Sequence, residues 1–400
     1  MAAGARTAPT ELDLRSRYEA AFTDWLACAC AGRGERAPQA VRACGDDLLT
    51  AAAFAATAGH VLDFDDTFSP GVAHVSATCA PAALMVADRF DASVEAMLDA
   101  YAAGFEAMAA VAAASHPALY DAGWHPTAVC GPVGAAVAAA RLLALSPEQL
   151  QHALALAVLR AGGARGAFGS DGKAIQVGQA AAAGVQAALL ARAGATVDHR
   201  AIDGPLGFTG VLGAAWPFGD DPPHTPETAA IQGNWIKLHP SCLGTHAPIE
   251  AAAEARRDGY RVDGARIEVR VDPVARQAAH LDAVTDGLSA KFSIPYCVAR
   301  TLLHGPPRVA DFAAVQEDAA AGAAGIAVIV DDRLPPFGAV LTAGGLELAR
   351  VPCPRGAPEN PVSASELEDK VTDLAGARLA GILADPGAPA AAAVDAAGLR

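Results

Sequence analysis

Runs of alanine and other small apolar residues fill the first 230 residues of this 400-residue chain, and they constrain its fold more than any other feature. Alanine has the highest helix propensity of all residues, and helices faced with alanine can approach one another closely. Hydrophobic residues make up 52% of the chain, charged residues 18% and aromatic residues 5%. We therefore predict a tightly packed helical body with a large core and little disorder.

Helix-start signals support this prediction. Ser146 is followed by a proline and then by Gln149, which together form a capping box at the start of a helix. Ser93 precedes another long apolar run as an N-cap, and Ser363 with Glu366 marks the start of a late helix.

The pattern changes after Trp235. Residues 267–271 alternate between apolar and polar, 326–332 form a second apolar run, and 339–351 fit a hairpin that turns at two glycines. The predicted fold is mainly α. A large all-helical domain (1–235) is followed by a smaller α+β lid domain (236–355), and a C-terminal segment (356–400) returns to the helical domain. The last 15 residues are rich in alanine and proline, and we expect them to fray.

The charge of the chain limits its partners. The formal net charge is −15, whereas nucleic acids and anionic membranes require a basic surface, so we exclude both. A few buried cations can still hold a small anionic substrate.

The N-terminus lacks the apolar segment of a signal peptide, and the eight cysteines have neither disulfide-scaffold nor metal-site spacing. We predict a soluble, cytoplasmic protein with reduced thiols.

Polar residues that could take part in catalysis or binding occur in five segments set in apolar surroundings. The segments are residues 60–67 with His74, 124–127, 169–173, 235–242 with His246, and 293–296. Lys173 and Lys237 stand out because their neighbours are largely apolar, whereas most lysines lie on solvated surfaces. Singly each residue has an ordinary structural interpretation, and only their order and combination point to a site.

One alternative concerns residues 63–67, which also fit the D-x-D-x-T motif of haloacid-dehalogenase-like phosphatases. In those enzymes the first aspartate is a nucleophile beside a magnesium ion, and the motif ends a strand of a parallel sheet. Here it follows a predicted helix, so a magnesium-dependent phosphatase is the more remote hypothesis. A helical binding protein without catalytic activity is a further hypothesis.

Taken together, the segments resemble the MmgE/PrpD family, which includes 2-methylcitrate dehydratase, cis-aconitate decarboxylase and iminodisuccinate epimerase. The family patterns A-H-x-L-D-F-D-D-T, H-P-T, G-S-x-x-K, K-x-Y-P-S-C and S-I-P-Y match residues 59–67, 125–127, 169–173, 237–242 and 293–296, in that order. The sequence departs from the family at Gln176, His239 and Leu243, where histidine, tyrosine and arginine are common. The leucine removes a carboxylate contact, which disfavours a tricarboxylate substrate.

The resemblance implies a helical domain with an α+β lid, a homodimer, and a site that uses neither a cofactor nor a metal. It implies the catalytic residues Asp63, His74, His125, Lys173, Lys237 and Tyr296, and the substrate-binding residues Thr67, Ser170, His239 and His246. The substrate it implies is a small anionic di- or tricarboxylic acid that loses a proton next to a carboxylate.

That reaction creates a carbanion, which needs positive groups already in place around it. We expect Lys173 and Lys237 to bind and polarise carboxylates, His74 and His125 to handle protons, and Asp63 to orient a histidine. We rank a lyase first, with loss of water ahead of loss of carbon dioxide. Epimerisation of a dicarboxylic acid such as iminodisuccinate is the alternative.

Overall fold

The computed structural model describes residues 11–218, 229–262, 264–379 and 381–400. The first part is a helical body, as predicted. Its helices are α1 (Glu11–Gly32), α2 (Arg36–Arg42), α3 (Leu48–His60), α4 (Ser76–Arg89), α5 (Val94–Ser115), α6 (Ala118–Asp121), α7 (Pro126–Leu142), α8 (Pro147–Val158), α9 (Asp171–Arg192) and α10 (Phe208–Leu212). Ser93 caps α5, and Ser146 with Gln149 forms the predicted capping box of α8.

The helices at the centre of the body pack closely because small residues line their crossings. Helix α7 lies between α5 and α9. A side chain at Gly104 of α5 would lie 2.6 Å from the carbonyl oxygen of Gly134 in α7. Gly184 of α9 approaches the carbonyl oxygen of Pro132 equally closely. The alanine-rich composition therefore produces the close packing that we predicted. Helices α5 and α9 are long and apolar enough to cross a membrane, but 61% of each apolar window is buried, as in the core helices of a folded domain.

The second part combines a sheet with helices. Its strands are β3 (Ile267–Val271), β4 (Ile326–Val330), β5 (Ala339–Ala343) and β6 (Leu346–Val351), preceded in the chain by the short strands β1 (Thr67–Phe68) and β2 (Asn234–Trp235). The sheet order is β4-β3-β5-β6, with β3 and β4 parallel and the other pairs antiparallel. Gly344 and Gly345 have φ values of +57° and +84°, which is why glycines turn this hairpin.

The helices of the second part and of the C-terminal segment are α11 (His246–Arg257), α12 (Pro273–Ala278), α13 (Gly287–Ala290), α14 (Ile294–His304), α15 (Glu317–Ala323), α16 (Ala364–Ala375) and α17 (Ala391–Ala397). Helix α16 begins at the predicted capping box and packs against α1 of the body. The expected fraying of the last 15 residues is wrong, because α17 packs against α4 and buries Val394 and Leu399.

The apolar core has two main clusters. One combines residues of the helical body with residues 371–399, and the other extends from Trp235 to Ala357. The domain boundaries that we predict at 235 and 355 fall where one cluster gives way to the other. Strands β1 and β2 pair at this change, so the segment after α3 is joined directly to the start of the second part.

Candidate active site

The site is built around the turn that follows α3. This helix ends at His60, and the turn places Asp63 at φ +52°, in the left-handed region that residues other than glycine rarely adopt. The side chain of Asp63 is 3% exposed. Such a conformation persists only where surrounding groups hold it.

The groups that hold this turn are lysines. The sequence has only four, Lys173, Lys237, Lys291 and Lys370, and each is at most 6% exposed. Lys173 Nζ and Lys237 Nζ lie 2.8 and 2.9 Å from Oδ1 of Asp63. Lys291 donates to the carbonyl oxygen of Leu62 (2.7 Å), and Lys370 donates to that of Phe64 (2.8 Å).

Opposite charges determine the protonation of Asp63. Burial raises the pKa of its carboxyl group, but the ammonium groups of Lys173 and Lys237 lower it more, and the net pKa lies well below the ordinary value. Asp63 is therefore an ionised carboxylate that accepts hydrogen bonds from two cations.

The two lysines at Asp63 differ in the hydrogen bonds that remain available to them. An ammonium group has three donors. Lys237 uses all three, on Asp63 Oδ1, on the Asp63 carbonyl oxygen (3.0 Å) and on the Ser241 carbonyl oxygen (3.2 Å). The ammonium group of Lys173 makes one hydrogen bond among the described residues, and its Nζ lies 5.4 and 5.1 Å from the ring centroids of Phe168 and Phe292. Direct carboxylate binding, which we predicted for both, fits Lys173 but not Lys237.

His74 is oriented by a second aspartate of the same turn. Asp65 Oδ2 lies 2.8 Å from His60 Nδ1 and 3.2 Å from His74 Nδ1. Burial raises the pKa of Asp65, but the two imidazoles lower it to well below the ordinary value, so the carboxylate can only accept. Both Nδ1 atoms must then carry the protons. Burial lowers the pKa of His74 to about 3, which leaves Nε2 unprotonated and 3.9 Å from Asp63 Oδ1.

His125 is held in the opposite tautomer. Pro126 opens α7, which places His125 at the N-cap. Gln176 accepts from the backbone N–H of Ala164 through Oε1 (3.0 Å), so its Nε2 is the atom that donates to His125 Nδ1 (2.7 Å). Burial lowers the pKa of His125 well below its ordinary value. The neutral ring therefore carries its proton on Nε2.

These groups share one small cavity between the helical body and the second part. Its lining includes Asp63, Thr67, His74, His125 and Lys173 from the predicted set, and Tyr120, Phe168 and Cys242 beside them. The remaining wall is apolar and is formed by Val72, Leu243, Ala278, Phe292 and Phe337. An apolar wall strengthens the electrostatic interactions of the charged groups that face it.

The other predicted site residues do not line this cavity. Ser170 caps α9, and the hydroxyl group of Tyr296 accepts a hydrogen bond from the backbone of Gln316 (3.0 Å) inside the second part. His246 Nε2 lies 3.3 Å from the Ser241 carbonyl oxygen, and the ring of His239 is 5.1 Å from that of His246. The structure thus brings together five of the ten predicted residues along the cavity, with Lys237 behind Asp63.

Several residues that shape the site were not among our predictions. They are His60, Asp65, Tyr120, Gln176, Lys291 and Lys370. Gln176 had been noted only as a departure from the family pattern. The scarcity of lysine in a chain with 29 lysines and arginines was the one signal that could have identified Lys291 and Lys370.

One group in the described part of the chain has the geometry of a metal site. A ring nitrogen of His60, a carboxylate oxygen of Asp65 and a ring nitrogen of His74 lie within 4.8 Å of one another. His60 Nδ1 hydrogen-bonds to Asp65 Oδ2, and His74 Nδ1 lies 3.2 Å from the same oxygen, which accounts for their proximity. The phosphatase hypothesis loses its structural context, because Asp63 follows a helix and is held by two lysines.

Fold and site together define a two-domain protein, in which a helical body and an α+β part enclose buried imidazoles and a lysine around a carboxylate. The chain belongs to the MmgE/PrpD family. The model of the MmgE/PrpD N-terminal domain matches residues 46–219, and that of the C-terminal domain matches residues 239–383. The predicted family and the mainly α fold are thereby confirmed.

Curated relatives with similar sequences are named as decarboxylases. The chain is 30% identical to cis-aconitate decarboxylase of Homo sapiens over 215 residues, which are 50% of this chain and 42% of the relative. It is 32% identical to the cis-aconitate decarboxylase-like protein oryM of Aspergillus oryzae over 223 residues (50% and 46%). For cis-aconitate decarboxylase of Mus musculus the identity is 29% over 268 residues (63% and 54%). The matches thus span about half the length of these relatives.

Proposed function

We propose that this protein is a cytoplasmic lyase that acts on a small carboxylic acid and needs no cofactor. The observation that carries the proposal is the pair of opposite tautomers. His74 presents an unprotonated Nε2 and His125 a protonated Nε2 on the lining of the same cavity. A neutral imidazole with a free ring nitrogen can accept a proton, and one with an N–H can donate a proton, so the pair can move protons to and from a substrate.

Each histidine has one role in the proposed reaction. In loss of water, His74 Nε2 takes the proton from the carbon next to the carboxylate. The C–O bond then breaks, and His125 Nε2–H protonates the leaving hydroxyl group. In loss of carbon dioxide, the C–C bond breaks, its electron pair stays on the substrate carbon, and His125 delivers the proton there. Lys173 stabilises the negative charge in both cases through the donors that Asp63 leaves unused.

Decarboxylation now ranks ahead of dehydration, which reverses the order we predicted from the sequence. The named relatives are cis-aconitate decarboxylases, and this is the only information that separates the two outcomes. The residues at the cavity serve either reaction equally well. They also allow the proton to return on the opposite face of the substrate, but no observation favours epimerisation.

The proposal is tested by incubating the protein in deuterated water with cis-aconitate, citrate, 2-methylcitrate, malate and iminodisuccinate, and following each acid by NMR. We expect deuterium to appear at a carbon next to a carboxylate in at least one acid, together with a product. The product distinguishes loss of carbon dioxide, loss of water and inversion. If no acid exchanges or reacts, while a generic phosphate ester is hydrolysed only with Mg²⁺, the phosphatase hypothesis replaces ours.

The Gln176→Glu variant tests the assigned tautomer of His125. A carboxylate cannot donate to Nδ1, so the ring moves its proton to Nδ1 and loses the Nε2–H that acts as the acid. We expect kcat to fall by roughly 10²-fold at pH 8. The loss becomes smaller at low pH, because an imidazolium ring beside a carboxylate carries protons on both nitrogens.

Gln149→Glu is the matched control, because it makes the same change at the exposed capping box of α8. We expect the kcat of this variant to equal that of the wild type at every pH. A Gln176→Glu variant with unchanged kcat at pH 8 would show that the Nε2–H of His125 is not the acid.

A further inference from the structure

Tyr120 is a buried residue of the cavity whose hydroxyl group has no acceptor among the described residues. It lies on α6, its side chain is 2% exposed, and it lines the cavity with His74, His125 and Lys173. Its hydroxyl oxygen is buried and has no hydrogen-bond partner among the described residues. A buried hydroxyl group without a partner destabilises a fold, so such a group calls for an explanation.

Other tyrosines of the chain differ in this respect. Tyr18 donates to Glu106, the hydroxyl of Tyr101 lies 2.6 Å from that of Ser76, and Tyr296 accepts from the backbone N–H of Gln316. Each of these hydroxyl groups is satisfied inside the protein. Tyr120, by contrast, lies beside the residues that carry the proposed chemistry, and its hydroxyl makes no such bond.

The ring of Tyr120 is held in place by Arg165. The guanidinium carbon lies 3.6 Å from the ring centroid, and the same group donates to the Tyr120 carbonyl oxygen (2.9 Å) and to the Gln277 carbonyl oxygen on α12 (2.8 Å). Arg165 therefore connects the helical body, Tyr120 and the second part. This contact fixes the ring at the place where the two parts meet. A guanidinium group can only donate hydrogen bonds, so Arg165 leaves the hydrogen of the Tyr120 hydroxyl available.

The hydroxyl group is available as a donor. Burial raises the pKa of Tyr120, and the nearby Arg165 lowers it by a smaller amount, so the phenol keeps its proton at neutral pH. On the same cavity lining Lys173 faces Asp63, and His125 is assigned to proton transfer. A carboxylic acid has more oxygen acceptors than Lys173 alone can satisfy.

We propose that the hydroxyl group of Tyr120 donates a hydrogen bond to a carboxylate oxygen of the substrate and is a catalytic residue of this site. The inference rests on the proposed function, because it assumes a carboxylic acid in the cavity. It also gives Tyr120 a place among the catalytic residues that the resemblance implied for Tyr296, whose hydroxyl group is engaged elsewhere. The cavity lining also includes the apolar residues Leu243, Ala278 and Phe337, which offer no donor to a carboxylate oxygen.

The test is Tyr120→Phe, which removes one oxygen atom and leaves the ring to stack on Arg165. We expect kcat/KM to fall by roughly 10- to 100-fold, because a donor to a charged acceptor is lost. The melting temperature stays the same or rises, because no intramolecular hydrogen bond is broken.

Tyr18→Phe is the matched control, because it breaks the hydrogen bond from α1 to Glu106 of α5, and neither residue lines the cavity. We expect it to lower the melting temperature and to leave kcat/KM unchanged, which is the reverse of the Tyr120→Phe pattern. A Tyr120→Phe variant with the kcat/KM of the wild type overturns the inference, and so does one that loses melting temperature and activity together. If Lys173→Met is inactive while Tyr120→Phe keeps the activity of the wild type, only the role of Tyr120 is wrong. If the wild type turns over no carboxylic acid, the proposed function is wrong as well.

Discussion

Replacing Lys173 by methionine is expected to lower kcat/KM by roughly 10²- to 10³-fold while the protein stays folded. Removal of one preorganised donor to a developing negative charge has an effect of this size. Lys173 is the cation that lines the cavity and that retains donors beyond its bond to Asp63. Methionine has a similar length and can pack against the rings of Phe168 and Phe292, and Asp63 keeps its ion pair with Lys237.

The measurement is steady-state kinetics with the acid identified by deuterium exchange, together with a melting curve. Arg36→Met is a suitable control, because Arg36 is an exposed cation that pairs with Asp171 in the first turn of α9, the helix that carries Lys173. Its removal should leave kcat/KM unaltered. Near-normal turnover of Lys173→Met would mean that the carbanion is stabilised by other groups and that our assignment is incorrect.

Local features of the chain were predictable from the sequence for a simple reason. The caps at Ser93, Ser146 and Ser363 depend on side chains that bond to the backbone three residues further along the chain, so the necessary information is local. Alternation in 267–271 likewise reports a strand with one buried face. The terminal helix α17 was missed because its stability depends on packing against α4, which its own composition does not reveal.

The composition of the site was partly predictable, but the roles of its residues were not. Family order brought Asp63, His74, His125 and Lys173 together correctly. The distinction between Lys173 and Lys237 depends on how many of three donors are already used, and this is a property of the folded structure. The same holds for His125, whose tautomer depends on the orientation of the side-chain amide of Gln176, 51 positions further along the chain.

The lysines around residues 62–64 connect separate parts of the protein. Lys173 comes from the helical body, Lys237 and Lys291 come from the second part, and Lys370 comes from the C-terminal helix α16. Three successive carbonyl oxygens, of Leu62, Asp63 and Phe64, each accept from a different ammonium group. The left-handed turn that presents Asp63 is therefore stabilised by side chains from all three parts, and this links the site to the stability of the whole fold.

Replacing Lys370 by methionine should therefore destabilise the protein strongly. Lys370 forms an ion pair with Asp24 of α1 (2.5 Å between Nζ and Oδ1) and donates to the carbonyl oxygens of Phe64 and Lys237. Asp24 is fully buried, and Lys370 is the only counter-ion in contact with its carboxylate among the described residues. Breaking one side of a buried ion pair typically costs about 3–5 kcal/mol, and we expect a loss of that order in the free energy of unfolding at pH 8.

The effect should depend on pH in a defined direction. Burial raises the pKa of Asp24 from 3.8 to about 6 even with Lys370 present, so the folded protein holds this proton more tightly than the unfolded chain does. A raised carboxyl pKa means that stability is lost as pH increases from the unfolded towards the folded pKa. Removing Lys370 raises the pKa of Asp24 further. The gap in unfolding free energy between variant and wild type should therefore widen above about pH 6 and narrow at pH 5.

Denaturant titrations at pH 5 and pH 8 measure this gap, and two further variants identify its origin. Arg350→Met removes an exposed cation that pairs with Glu347, and it should cost less than about 1 kcal/mol at both pH values. The double variant Asp24→Asn with Lys370→Met removes the buried charge itself, so most of the lost stability should return at pH 8. If the double variant is no more stable than Lys370→Met alone, the destabilisation arises from the lost bonds to Phe64 and Lys237, and the buried carboxylate is not its cause.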